Sequence, residues 1–248
     1  MIQIAAQELT KSFGKLMAVS HLNLTIPRGT IFGFLGPNGS GKSTTVKMLT
    51  GLLKPDLGDA VICGKSVTKS PLEVKKQIGV LPEDLALFKA VTIWEHLIMA
   101  GSVYELQRKD TEKRAEELLH YLDLWPNRNT IVDQASTGMR KKCALAMAVI
   151  HNPPVLFLDE PFEGIDPISS RNIKDLLLLM AEKGGTVFIT SHILEVVERL
   201  VQSFAIIVSG EVVCSKSVAE TLSEGRTLEE FFFEAVGGRR ERTLEWVG

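Results

Sequence analysis

The chain has 248 residues, with 28 Lys+Arg against 30 Asp+Glu and a formal net charge of −2. Apolar residues make up 45% and charged residues 23%, a globular balance that argues against disorder and leaves ample chain to bury a core. The near-neutral charge argues against a dedicated nucleic-acid binder, which needs a basic excess to neutralise phosphates. Cys63, Cys143 and Cys214 have no metal-ligand spacing and cannot all pair, so the pattern is that of a reducing compartment rather than a disulfide scaffold. The longest apolar stretches, such as Ala144 to Ile150 and Phe204 to Val208, fall far short of the ~20 residues of a spanning helix. The N-terminus has no basic segment leading into an apolar one, which predicts no secretion signal.

In chain order, Ile2 to Leu9, Met17 to Ile26 and Thr30 to Leu35 read as strands, separated by turn-forming Lys-Ser-Phe-Gly (11–14) and Pro-Arg-Gly (27–29). The second run alternates apolar and polar residues with a break at His21, as a half-buried antiparallel strand does. The third is almost continuously apolar, as a strand covered on both faces is. A helix is predicted from about Lys42 to Leu52, with Val46, Leu49, Leu52 and Leu53 on its inner side. From about 84 to 152 the strand signals vanish and helical spacing takes over, at Thr92 to Tyr104, Thr111 to Leu122 and Met139 to Ile150. This stretch reads as a mostly helical lobe inserted into an α/β body. Strands resume at Val155 to Leu158, Thr186 to Thr190 and Phe204 to Val208, with a helix around Ile173, Leu176, Leu177 and Met180. Such alternation implies parallel strands with crossover helices. The tail from Gly237 is polar, with Trp246 as a candidate docking residue.

The sharpest chemical signal is Gly36-Pro37-Asn38-Gly39-Ser40-Gly41-Lys42-Ser43-Thr44, which satisfies G-x-x-x-x-G-K-[ST]. A buried strand feeds a loop whose N–H groups must wrap phosphate oxygens, and Gly36, Gly39 and Gly41 permit that approach. The helix that follows points its positive end at the phosphates. Lys42 supplies a charge for the β- and γ-phosphates, and the Ser43 hydroxyl completes Mg²⁺ coordination. Downstream, the apolar strand Val155-Leu-Phe-Leu ends in Asp159-Glu160. In a phosphate-loop site Asp159 would hold Mg²⁺ through water and Glu160 would polarise the attacking water as general base; a merely solvated strand end is the alternative. His192, just past another apolar strand, has two readings: a γ-phosphate contact that positions the water, or a capping or core histidine.

The order of these motifs resembles the nucleotide-binding subunit of ATP-binding cassette (ABC) transporters, over about residues 2 to 236. Between the phosphate loop and His192 stand Ile78-Gly-Val-Leu-Pro-Glu83, the helical lobe, Ala135-Ser136-Thr137-Gly138-Met139, Asp159-Glu160 and Glu163-Gly164-Ile165-Asp166. The resemblance implies a P-loop NTPase core of class α/β: a mainly parallel sheet, an N-terminal antiparallel β subdomain and an inserted helical subdomain. It implies one ABC ATPase domain over 1–236 and a C-terminal tail over 237–248. It implies that ATP and Mg²⁺ are bound and that Phe13 stacks on adenine, a turn-packing Phe being the alternative. By the same resemblance, Ser136 and Gly138 bind the γ-phosphate held by the opposite subunit of a head-to-tail dimer, with itself or a paralogue; taken alone, they read as an ordinary helix cap. Gly164-Ile165-Asp166 matches the loop that couples the two sites.

Two departures mark the chain. The family's usual Leu-Ser-Gly-Gly-Gln is Ala-Ser-Thr-Gly-Met here, and Glu83 replaces the usual glutamine that approaches the metal or water. Both are similar to the bacterial ABC-2-type exporter branch. The expected partner is an integral membrane permease subunit, with no nucleic acid, and the expected location is cytoplasmic, peripheral on the inner face of the cell membrane. The alternative is a soluble non-transport ABC ATPase acting on nucleic acid. Smaller features have plainer readings. Cys143 belongs to an apolar helix face, Phe231-Phe232-Phe233 anchors a C-terminal helix to the body, an interaction patch being the alternative, and Arg140-Lys141-Lys142 is a solvated helix face. Trp94 and Tyr104 serve either core packing or the permease contact.

Overall fold

A computed structural model describes residues 1–237, so Trp246 and most of the polar tail lie outside the described residues. Strands β1 (Ile2–Phe13), β2 (Leu16–Pro27) and β3 (Ile31–Leu35) lead into helix α1 (Lys42–Leu49). Strands β4 (Leu57–Ile62) and β5 (Lys65–Ser66), helix α2 (Pro71–Lys75) and strand β6 (Ile78–Leu81) follow. Helices α3 (Ile93–Val103), α4 (Arg108–Tyr121) and α5 (Thr137–Val149) then precede β7 (Val155–Asp159) and α6 (Pro167–Glu182). The chain closes with β8 (Thr186–Ser191), α7 (Leu194–Glu198), β9 (Ser203–Val208), β10 (Glu211–Ser217), α8 (Val218–Ser223) and α9 (Leu228–Ala235).

The strands form two sheets. One is antiparallel, in the order β2-β1-β4-β5; the other runs β10-β9-β3-β8-β7-β6 and is parallel apart from β10. The predicted α/β class, parallel core, antiparallel β subdomain and inserted helical part are all present. β3, β7 and β8 are buried at every residue, which is why each reads as an unbroken apolar run. Phe32, Phe34 and Phe157 gather around Phe188 with ring centroids 5.4–5.8 Å apart, in the core between the two sheets. A second core lies between the parallel sheet and α3, α4, α5 and α6. Cys143 belongs to it, with its thiol pushed up to about 12 by burial.

Several elements depart from expectation. β1 continues through Phe13, so the turn shrinks to Gly14-Lys15. The break at His21 is a bulge: His21 (φ 45) and Glu8 (φ 52) both adopt left-handed backbone where the β1–β2 register shifts. β4, β5, β10 and α2 were not predicted. Gly58 and Asp59 obscure β4; Gly58 (φ 77) packs so closely on β1 that a Cβ would meet the Gln7 carbonyl at 2.3 Å. α1 stops at Leu49, and Leu52 is 61% exposed rather than inward-facing.

Tyr104 and Trp94 both pack against other aromatic rings of the chain. Trp94 meets Trp125 edge-on, and Tyr104 lies flat on His151 at 3.4 Å. The Tyr104 hydroxyl and His151 Nε2 both donate to the Ile78 carbonyl, at 3.3 and 3.1 Å. Burial pulls the His151 pKa down to about 4. A histidine kept neutral in the fold stabilises it above the unfolded value of about 6.5 and loses that contribution as pH falls toward the folded value. Melting temperature is therefore expected to drop between pH 6.5 and 4 with a component that His151→Phe removes. Identical pH slopes for wild type and variant would contradict this.

Candidate active site

The parallel register determines what meets what. Leu35 at the end of β3 pairs with Ser191, Asp159 at the end of β7 pairs with Thr190, and Leu81 at the end of β6 pairs with Leu158. The segments just beyond these ends carry the 36–44 loop, His192, Glu160 and Glu83. They emerge along one edge of the sheet, where open parallel sheets place their ligands.

The loop after β3 turns tightly onto α1. Gly41 has φ 107, and a Cβ there would strike the Ala18 carbonyl at 2.4 Å; one on Gly36 would strike the Ile207 carbonyl at 2.3 Å. The Gly210 N–H donates to the Ser40 carbonyl, tying the loop to the β9–β10 turn. Lys42, 6% exposed, donates to the carbonyls of Gly36 and Pro37 at 2.8 and 3.2 Å. Its Nζ also lies 3.5 Å from Glu160 Oε1. His192 Nδ1 is 3.0 Å from the same oxygen, without hydrogen-bond alignment, and the His192 N–H donates to Glu160 Oε2 at 3.4 Å. One carboxylate thus sits between the loop lysine and the histidine.

These groups line a cleft of about 670 Å³. Phe13, Leu16 and Met17 form its apolar side, and Asn38, Gly39, Gly41, Lys42, Ser43 and Thr44 form its phosphate-loop side. Glu83, Glu160, Glu163 and His192 complete it. Phe13 is 51% exposed at the mouth, open to stacking. Gly36, Pro37, Ser40 and Asp159 support the cleft without lining it. Ser136 and Gly138 do not reach it: Ser136 is exposed and caps α5 by accepting the Met139 N–H at 3.2 Å. Gly138 lies against Ser169 and Asp166, and Asp166 caps α6 by accepting the Ser169 N–H.

Among the described residues that line the cleft, Glu160 Oε1 and His192 Nδ1 are buried without a hydrogen-bond partner. Buried polar atoms are ordinarily satisfied, so these fit a ligand that brings phosphate oxygens and water. No group of three or more His, Cys, Asp or Glu side chains is placed to cage a metal among the described residues. A Ser43 hydroxyl and one carboxylate suit Mg²⁺ instead, which binds through few protein oxygens plus phosphates and water.

The sequence reading missed two side chains here. Thr190, fully buried, accepts the Glu160 N–H at 3.1 Å and donates a short hydrogen bond to Asp159 Oδ1. Its only sequence signal is its register opposite Asp159. The second corrects an expectation: Arg140-Lys141-Lys142 is not a solvated face, because Lys141 and Lys142 are 8% and 6% exposed. Long aliphatic stems bury readily when the charged head finds acceptors, and the Lys141 ammonium finds the carbonyls of Glu160 and Glu163.

Residues 19–163 match the ABC transporter family. The chain belongs to that family. This ABC cassette is 36% identical over 210 residues to the linearmycin resistance ATP-binding protein LnrL of Bacillus subtilis, covering 85% of this chain and 68% of that protein. It is 34% identical over 244 residues to the bacitracin transport ATP-binding protein BcrA of Bacillus licheniformis, covering 98% of this chain and 74% of that one. A dimeric, post-hydrolysis structure of the ATP-binding cassette MJ0796 bound to ADP and Pi superposes with a TM-score of 0.81 at 25% identity, covering 87% of this chain and 99% of that chain. This ABC cassette is an ATP-binding, ATP-hydrolysing subunit of a transporter.

Thr190→Val removes one acceptor from the Glu160 N–H and one donor from Asp159. An orphaned buried N–H costs roughly 1–3 kcal/mol, so denaturant unfolding is expected to show a loss of that size. ATP turnover is expected to fall by ~10-fold with little change in ATP affinity. Wild-type stability and turnover would show that the two bonds are dispensable.

Proposed function

We propose that this subunit couples hydrolysis of Mg-ATP to export through a separate integral membrane permease. One observation carries the reading: the Glu160 carboxylate lies between Lys42 and His192, buried and with an oxygen to spare, at the rim of the phosphate loop. Glu160 takes a proton from water, and that water attacks the γ-phosphorus as its bond to the ADP oxygen breaks. His192 positions the water and contacts the γ-phosphate. Lys42 and the N–H groups at the start of α1 hold the β- and γ-phosphates, and Phe13 stacks on adenine. Ser43 and Asp159, with Glu83 nearby, would hold a Mg²⁺ ion, which would neutralise charge building on the phosphates.

Ser136 and Gly138 do not line their own cleft, and in this reading they act on the nucleotide of a second cassette in a head-to-tail dimer. The MJ0796 cassette, dimeric in its post-hydrolysis structure, supports pairing of two cassettes, and relatives concerned with linearmycin resistance and bacitracin transport support export. In this reading the subunit sits on the cytoplasmic face and the path for substrate lies in the permease; no described helix is long and apolar enough to cross a membrane. An apolar groove of about 330 Å³, lined by Leu52, Val80, Pro82, Leu85 and Met147, faces outward beside the cleft. Pro82 lines the groove and Glu83 lines the cleft, so a permease segment seated there is one peptide unit from the nucleotide site.

Glu160→Gln is expected to lower turnover by at least ~10²-fold while ATP still binds and the dimer stays closed, read by single-turnover kinetics and sedimentation. Wild-type turnover in that variant would remove Glu160 as the base. Lys42→Ala is expected to abolish measurable ATP binding in a calorimetric titration, and undiminished affinity would contradict the phosphate-loop assignment.

A further inference from the structure

Lys141 lies one turn into α5, behind the chain segment that carries Glu160. A buried ammonium needs a reason, because desolvating a charge is costly unless acceptors replace its water. Here the acceptors are backbone oxygens: the Glu160 carbonyl at 2.8 Å and the Glu163 carbonyl at 2.5 Å. The Glu163 N–H in turn closes on the Glu160 carbonyl at 3.4 Å. Glu160 itself has φ 49, in the left-handed region. Outside glycine, such backbone costs on the order of 1–2 kcal/mol and persists only when its surroundings hold it. Two restraints do so: Thr190 on the amide side and Lys141 on the carbonyl side.

We propose that Lys141 is a positioning residue for hydrolysis, clamping the 160–163 turn so that the Glu160 carboxylate stays aimed at the water and γ-phosphate. Burial lowers the Lys141 pKa, and Glu163, Glu160 and Glu83 act against that shift by favouring the charged form. The inference rests on Glu160 being the general base.

The test compares Lys141→Met, which fills the volume without charge or donors, with Lys141→Arg, which keeps both. Turnover is measured on the full chain, together with its membrane subunit where turnover requires it. Lys141→Met is expected to lose ~10- to 100-fold in kcat, the size of a catalytic group displaced by about 1 Å, with ATP Kd unchanged within about 3-fold. Lys141→Arg is expected to recover most of the rate. In a Glu160→Gln background, Lys141→Met is expected to cause no further loss, because the group it aims is gone. Should Lys141→Met fail to fold, Lys141→Gln takes its place, with the same split between kcat and Kd expected. Wild-type kcat in the neutral variant, or parallel losses of ATP affinity and rate, would overturn the proposal. Wild-type turnover in Glu160→Gln alone would instead overturn the base assignment on which it rests.

Discussion

The pairing of β3, β8 and β7 in parallel register is the constraint on which the site depends. Because Leu35 faces Ser191 and Asp159 faces Thr190, three segments distant in sequence leave the sheet at one level. A slip of one residue in either pair would turn Asp159 and Thr190 to opposite faces and separate the carboxylate from its hydroxyl. The register is held by burial on both sides: Phe157 and Phe188 pack toward the antiparallel sheet, while Leu156, Leu158, Val187 and Ile189 pack toward the helices. Fully burying each such side chain stabilises by about 1.5–3 kcal/mol, so apolar packing sets the geometry that the polar residues use.

On that frame the site concentrates polar and strained groups that a core normally avoids. Glu160 is 6% exposed, in left-handed backbone, with one oxygen lacking a hydrogen-bond partner among the described residues. Thr190 and Lys141 grip its amide and carbonyl. Preorganisation of this kind leaves little to reorganise when charge develops in the transition state. The acidic side of the cleft is answered by Lys42 within it and Lys141 behind it.

Much of this was legible in the sequence because its physical causes are local. The glycines at 36, 39 and 41 and the buried apolar runs ending at Leu35 and Asp159 act through a few neighbouring residues. So does Ser136, whose side chain caps its own helix. What escaped depends on partners far along the chain. β4 hides behind Gly58 and Asp59, whose fit is explained only by the bulge at Glu8 on the neighbouring strand. Thr190 meets Asp159 and Glu160 only through the strand that places it opposite Asp159. Lys141 belongs to a basic run that looks solvated until the 160–163 turn is packed against it. The resemblance to the ABC family supplied roles for Ser136, Gly138 and Phe13 that no local pattern carries.

The proposed mechanism divides its catalytic parts between two surfaces of the molecule. The cleft holds Lys42, Glu160 and His192, whereas Ser136 and Gly138 lie at the start of α5 against Asp166 and Ser169. In the account proposed here, neither surface hydrolyses ATP alone, and closure of two cassettes on nucleotide joins them. The direct measurement is steady-state ATP turnover per chain as a function of protein concentration, across the range in which the purified subunit passes from monomer to dimer. Turnover per chain is expected to rise steeply with concentration and to saturate once the dimer predominates. Turnover per chain that stays constant down to concentrations at which only monomer is present would contradict it.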